Sequence, residues 1–239
     1  RHMNNLRSAR SNLRDQLAVA RSRHTWVMAW LYIGTFGSFI GYSAAFPLLL
    51  KMQFPQHTGA NLAFLGPLVG SLARPLGGWL SDRYGGTRIT FVTFLAMGVA
   101  TVAVIYFVDA RSFAGFLATF MVLFVTTGMG NGSTFRMIPL IFKNAALASG
   151  PEGAGLGREG ALRSARIESA AAIGLVSAIG ACGGYLVPRG FAASIAATGS
   201  VHGALTSFLL FYVACMALTW AFYIRQPAGA LAVATEARV

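Results

Sequence analysis

Six times along this chain an apolar run reaches the length a helix needs to cross a bilayer, about 20 residues. The runs cover approximately 25–50, 61–80, 89–108, 113–142, 167–187 and 203–224, called spans one to six here. Of the 239 residues, 55% are hydrophobic and 11% charged, against about 25% charged in soluble domains. The fold class this implies is all-α integral membrane, with six transmembrane helices. Residues 1–24 then precede the bundle, 25–224 form it, and 225–239 are a tail.

The charge is distributed in a way that orients the spans. Six arginines (Arg1, Arg7, Arg10, Arg14, Arg21, Arg23) precede span one, and the next connection carries only Lys51. Arg83 and Arg88 follow span two, and Arg111 stands alone after span three. Lys143, Arg158, Arg163 and Arg166 follow span four, Arg189 follows span five, and Arg225 and Arg238 follow span six. Every second connection is rich, which predicts both termini on the cytoplasmic side. Trp26, Trp30, Trp79 and Trp220 fall near the same ends, where interfacial anchors sit. The net charge of +12 is not a nucleic-acid footprint, because no basic stripe interleaved with aromatics is present. The N-terminal stretch has no short apolar core with a small-residue cleavage site and does not read as a signal peptide. The stretch 146–166 is the one long loop, Gly- and Ala-rich, with a short helix expected near its end.

One residue breaks the membrane pattern. Arg74 is the only charged residue between Asn61 and Leu80. A charge in hydrocarbon costs about 2.5 kcal/mol on the most lenient scale. On a helical projection, Ala63, Pro67, Gly70, Ser71, Gly77, Gly78 and Ser81 share its side, and Leu65, Leu68, Val69, Leu72, Leu76 and Trp79 lie opposite. Small residues mark close helix approach or a cavity, so Arg74 is expected to point into the protein. Glu168 is the one acidic residue within any span, and it sits at the edge of span five. Two roles stay open: a guanidinium that holds an external anion, or a long side chain that snorkels to the interface. Arg136, near the end of span four, fits snorkelling or contact with the adjacent loop.

Other motifs carry weaker signals. "GGWLSDRYGGTR" places Gly78, Asp82, Arg83, Gly85 and Arg88 around a tight turn, which reads either as a solvated loop or as a gating latch. "TTGMGNGSTFRMIP" and "AAAIGLVSAIGACGGYLVP" are glycine-rich helices with interspersed Asn131, Ser133, Thr134 and Ser177, suited to close packing or to lining a cavity. Tyr32, Phe36, Phe39 and Ser43 share a face of span one, and the Tyr32 hydroxyl lies deep enough to need a partner. Cys182 and Cys215 are too few for a disulfide frame or zinc site and read as buried small apolar residues. His2, His24, His57 and His202 all lie outside or at the edges of the spans. No HExxH, Cys/His cluster, carboxylate pair or Walker loop is present, so neither an enzyme nor a cofactor or metal is expected.

"FLGPLVGSLARPLGGWLSDRYGGTR", "GMGNGSTFRMIPLIF" and "AAAIGLVSAIGACGGYLVP", together with "LYIGTFGSFIGYSAAFPLL", resemble the NarK-type nitrate/nitrite porters of the major facilitator superfamily, from about Gln16 to Tyr223. That family has twelve helices in two halves, and this chain is similar to the second, C-terminal half alone. The resemblance implies anion transport by alternating access, with nitrate/nitrite exchange as the expected mode. It implies nitrate, nitrite, the lipid bilayer and a complementary N-terminal six-helix half as partners, in a bacterial inner membrane. It also implies substrate-binding roles for Arg74, Tyr32, Phe36, Gly174 and Ser177, with Gly78, Asp82, Arg83, Gly85 and Arg88 as a gating loop. Two other readings remain open: a half for another small anion, and a membrane interaction module that transports nothing.

Overall fold

The computed structural model describes residues 19–57, 59–148 and 158–225. The expected N-terminal segment 1–24 and tail 225–239 lie almost wholly outside them, as does much of the loop 146–166. The described residues form helices and short turns. Helix α1 runs Arg23–Gln53, with a π-helical turn at Ile33–Gly37. A 3-10 turn at Gly59–Leu62 leads to α2, Leu65–Tyr84, then α3, Gly86–Asp109, and α4, Phe113–Ala148. Helices α5, Arg158–Ala181, and α6, Gly183–Thr198, make one rod interrupted at Cys182. Helix α7, His202–Thr219, continues into a π-helical turn at Trp220–Ile224. The described residues thus make six rods.

Five of them are long and apolar enough to cross a membrane by length and composition. The exception is α2, diluted by glycines, two prolines and Arg74. It nonetheless packs more extensively on α4 than any other pair of elements pack on each other. Helices α2 and α3 both turn bulky stripes outward: Leu68, Leu72, Leu76 and Trp79 on one, Val92, Leu95, Val99, Val102 and Tyr106 on the other. Such faces are untenable in water and ordinary against lipid. Cys215 is buried, but Cys182 is exposed, contrary to the sequence expectation. The break in the α5–α6 rod falls on Cys182 itself, so its face is not fixed by a continuous helix.

Two kinds of contact hold the bundle. One is aromatic. Tyr42, Phe46, Phe116, Phe120, Phe124 and Phe191 are buried, and their rings pack at mixed angles, from Phe46 stacked on Phe116 at 17° to Tyr42 edge-on to Phe120 at 5.7 Å and 84°. Within this cluster the Tyr42 hydroxyl lies 2.6 Å from that of Tyr212, which donates to Ser38 Oγ at 2.9 Å, tying α1 to α7. The other kind is small and polar. Thr35 meets Thr134 at 3.1 Å, and Thr90 meets Ser133 at 2.8 Å, so threonine and serine link α1 and α3 to α4 where bulk is absent. His24 lies beside Tyr223, centroids 6.0 Å apart, so the start of α1 and the end of α7 meet at one end of the bundle. At the opposite end His202 Nε2 and Asp109 Oδ1 are 2.7 Å apart, joining α7 to α3.

Candidate functional site

The close approach of α2 and α4 sets the position of Arg74. A Cβ on Gly132 would strike the Arg74 carbonyl, and one on Gly128 would strike that of Gly70. Glycine at these positions lets the two backbones touch, which holds Arg74 directly against the middle of α4. The small stripe of α2 is therefore divided. Gly70, Ala73, Gly77 and Ser81 are buried against α4, while Arg74 sits at the edge of that seam and is exposed. The expectation that Arg74 points into the protein is corrected to this extent: within this chain it is on an open face rather than enclosed. Its guanidinium lies over the Phe135 ring, 5.6 Å from the centroid.

The other expected residues come from α1 and α5. The Tyr32 and Phe36 rings stack at 5.0 Å with 24° between their planes, on the turn where α1 becomes π-helical. The Tyr32 hydroxyl lies beside Ser177 and within electrostatic reach of the Arg74 charge. Tyr32, Phe36, Ser177 and Arg74 thus share one side of the bundle, supplied by three helices. Gly174, one turn before Ser177, faces open space, with no atom within 4 Å of where a Cβ would stand. The arrangement offers one fixed cation, hydroxyl donors and flat ring faces, a combination suited to a small planar anion.

Sequence reasoning missed two members. Phe135 was overlooked beside Arg136, although an aromatic ring four residues beyond Asn131 belongs to the same helix face. Gly180 makes room for the stacked pair, because a Cβ there would stand 2.7 Å from Tyr32 Cδ1 and 3.4 Å from Phe36 Cδ1. Its spacing of three residues from Ser177 was the available signal.

The five residues expected as a gating loop lie around the α2–α3 turn. Gly85 takes φ 91°, a conformation that glycine alone adopts without strain. Gly78 lies beside the stem of Arg136, and Arg88 is exposed. Arg83 covers the Trp79 and Tyr84 rings, each centroid 5.5 Å away. Asp82 accepts a hydrogen bond from Arg136 Nη2 at 2.6 Å, joining the turn to α4. Both partners are more than half exposed, at 54% and 59%, so solvent screens the pair. Asp82→Asn is expected to change stability by less than about 1 kcal/mol. Thermal unfolding in detergent measures this, and a loss above about 2 kcal/mol would show that the pair supports the fold itself.

Comparison with known proteins adds the following. Residues 4–157 match the family model described as Major Facilitator Superfamily. The chain is 45% identical over 232 residues to the nitrate/nitrite transporter NarU of Salmonella typhimurium, covering 94% of this chain and 49% of that protein. It is 43% identical over 227 residues to the nitrate/nitrite transporter NarU of Escherichia coli, with the same coverage of 94% and 49%. To the nitrite extrusion protein of Bacillus subtilis it is 27% identical over 187 residues, covering 76% and 40%. The chain spans about half the length of the curated relatives it matches.

Proposed function

Because this chain belongs to the major facilitator superfamily, we propose that it forms the C-terminal six-helix half of a nitrate/nitrite transporter working by alternating access. Residues 25–224 are then the bundle, with the segments on either side cytoplasmic, in a bacterial inner membrane. The observation that carries the reading is the proximity of the exposed Arg74 to the buried Tyr32, whose ring stacks on Phe36 and whose hydroxyl lies beside Ser177. In relatives named as nitrate/nitrite transporters, a second half of similar length is present beyond the matched region.

The chemistry follows from the residue types. Nitrate is flat and monoanionic, and a guanidinium presents planar paired donors to such an ion. Tyr32 and Phe36 cover a ring-sized surface beside the charge, and Ser177 with Tyr32 supplies neutral donors. Gly174 leaves its side of the site free of side-chain bulk. Nitrite shares the charge and the acceptor oxygens, so one site serves both. A cationic site is costly to reorient without its anion, which favours exchange over net uptake. The ion pair of Asp82 with Arg136 supports a latch role for the α2–α3 turn, since it fixes the exposed turn against the end of α4.

The test uses the complete two-half protein in liposomes loaded with nitrite. External nitrate should enter only when an internal anion is present, and chloride, formate and sulfate should compete weakly. Uptake that favours another anion over nitrate would place the chain in a porter for that ion. Nitrate uptake into anion-free liposomes driven by an imposed proton gradient would refute exchange.

A further inference from the structure

Asn131 lies in the middle of α4 and is only 1% exposed, yet its Oδ1 has no hydrogen-bond partner. A buried carboxamide oxygen left unpaired carries its full desolvation penalty. Its neighbours Thr35, Thr127, Ser133 and Thr134 are equally deep, and each of them is bonded. Among these five Asn131 alone keeps an unpaired atom; the other buried carboxamide of α4 without a partner, Asn144, lies three turns further on, near the end of the helix.

Helical register fixes where it points. Gly132 and Gly128 lie roughly 100° and 60° to one side of it, and Gly130 and Thr134 roughly 100° and 60° to the other. The first two touch α2, at Arg74 and Gly70. The second two touch Thr35, in the π-helical turn of α1. Asn131 therefore faces the cleft between α1 and α2. Phe135, the ring beneath the Arg74 guanidinium, is one turn away on the same face. The π-helical turn stands opposite, and such turns recur at functional sites.

We propose that Asn131 is a further substrate-binding residue, whose carboxamide N–H donates to the bound oxyanion while its oxygen accepts from the Arg74 guanidinium. The inference rests on the anion-transport reading above. A carboxamide carries both functions without adding charge, so it satisfies its own orphan oxygen and the anion together. It also aims a directional donor at an oxygen lone pair, which a spherical halide cannot match.

The experiment compares Asn131→Leu and Asn131→Asp with the parent in the complete transporter, measuring nitrate affinity by calorimetry and thermal unfolding in parallel. Loss of one charge-assisted hydrogen bond is expected to weaken nitrate binding at least about tenfold. Leucine removes an unsatisfied polar group at similar volume, so its unfolding temperature should stay level or rise. Aspartate keeps the shape and replaces the donor with a negative charge, so nitrate binding should fall further. Parental affinity in either variant would overturn the proposal. Should the leucine variant fail to fold, the aspartate variant alone decides. A parent that binds no nitrate would instead overturn the transport reading, independently of Asn131.

Discussion

Gly128→Val is expected to abolish the folded protein. The valine Cβ would stand against the carbonyl of Gly70 and 3.0 Å from its Cα, with helix backbone on both sides and no flexible side chain to yield. Gly77 meets the carbonyl of Met129 in the same way, so α2 cannot tilt about one contact to relieve another. Overpacking a well-filled interior costs about 1–3 kcal/mol when side chains can adjust. Here only backbone can move, so the cost exceeds that range. Fluorescence-detected size exclusion of the complete transporter reads the result, as loss of the monodisperse peak. Gly174→Ala is the control, because no atom lies within 4 Å of the added methyl group. A Gly128→Val protein with the parent's elution profile and unfolding temperature would disprove the seam as described.

Arg74→Lys is expected to weaken nitrate binding about ten- to a hundredfold. Lysine keeps the charge and loses the planar fork and its second donor. A charge-assisted, bidentate contact is worth roughly 1.5–3 kcal/mol, and about 1.4 kcal/mol corresponds to one factor of ten. The stacking of the guanidinium on Phe135 is weakened as well, because an ammonium has no plane to lay on the ring. A purely interfacial arginine gives the opposite forecast, since lysine snorkels equally well. Nitrate affinity and exchange rate in the complete protein discriminate the two, with expression level as the check on folding. A lysine variant that binds and exchanges like the parent would leave Arg74 an anchor with no part in recognition.

How much of this was legible in the sequence depends on whether a feature is local. The apolar runs and the small-residue side of α2 follow from periodicity within one helix, and charge and depth within a span were enough to single out Arg74 and Tyr32, whereas Ser177 stood out only through the family resemblance. Neighbours contributed by other helices were not legible. Asp82 finds its partner on α4, and the sequence offers nearer arginines, Arg83 and Arg88, that it does not use. Arg74 rests on Phe135 because three glycine contacts bring α2 onto α4, a geometry that exists only once both helices are docked. Cys182 was misplaced for a related reason: the break between α5 and α6 interrupts the phase from which its burial was read. The π-helical turn in α1 was also invisible, since Ile33–Gly37 has no proline and its two glycines suit many backbone paths.

The aromatic cluster gives the bundle unequal stiffness along its length. At the end away from the start of α1, Tyr42, Phe46, Phe120, Phe124, Phe191 and Phe208 interlock, several of them edge to face, with Phe46–Phe124 at 74° and Phe191–Phe208 at 76°. Rings set at such angles block sliding, because each edge is lodged against another ring's face. Toward the other end, α1, α3 and α4 meet through threonine methyls, hydroxyls and glycine, as where Gly130 abuts Thr35 and Thr93. Surfaces of that kind can shear by an ångström without unlocking anything large. One end therefore behaves as a solid heel and the other as a yielding toe. If this half rocks against another, the heel transmits the torque and the threonine-lined contacts of α1 and α3 with α4 accommodate the displacement.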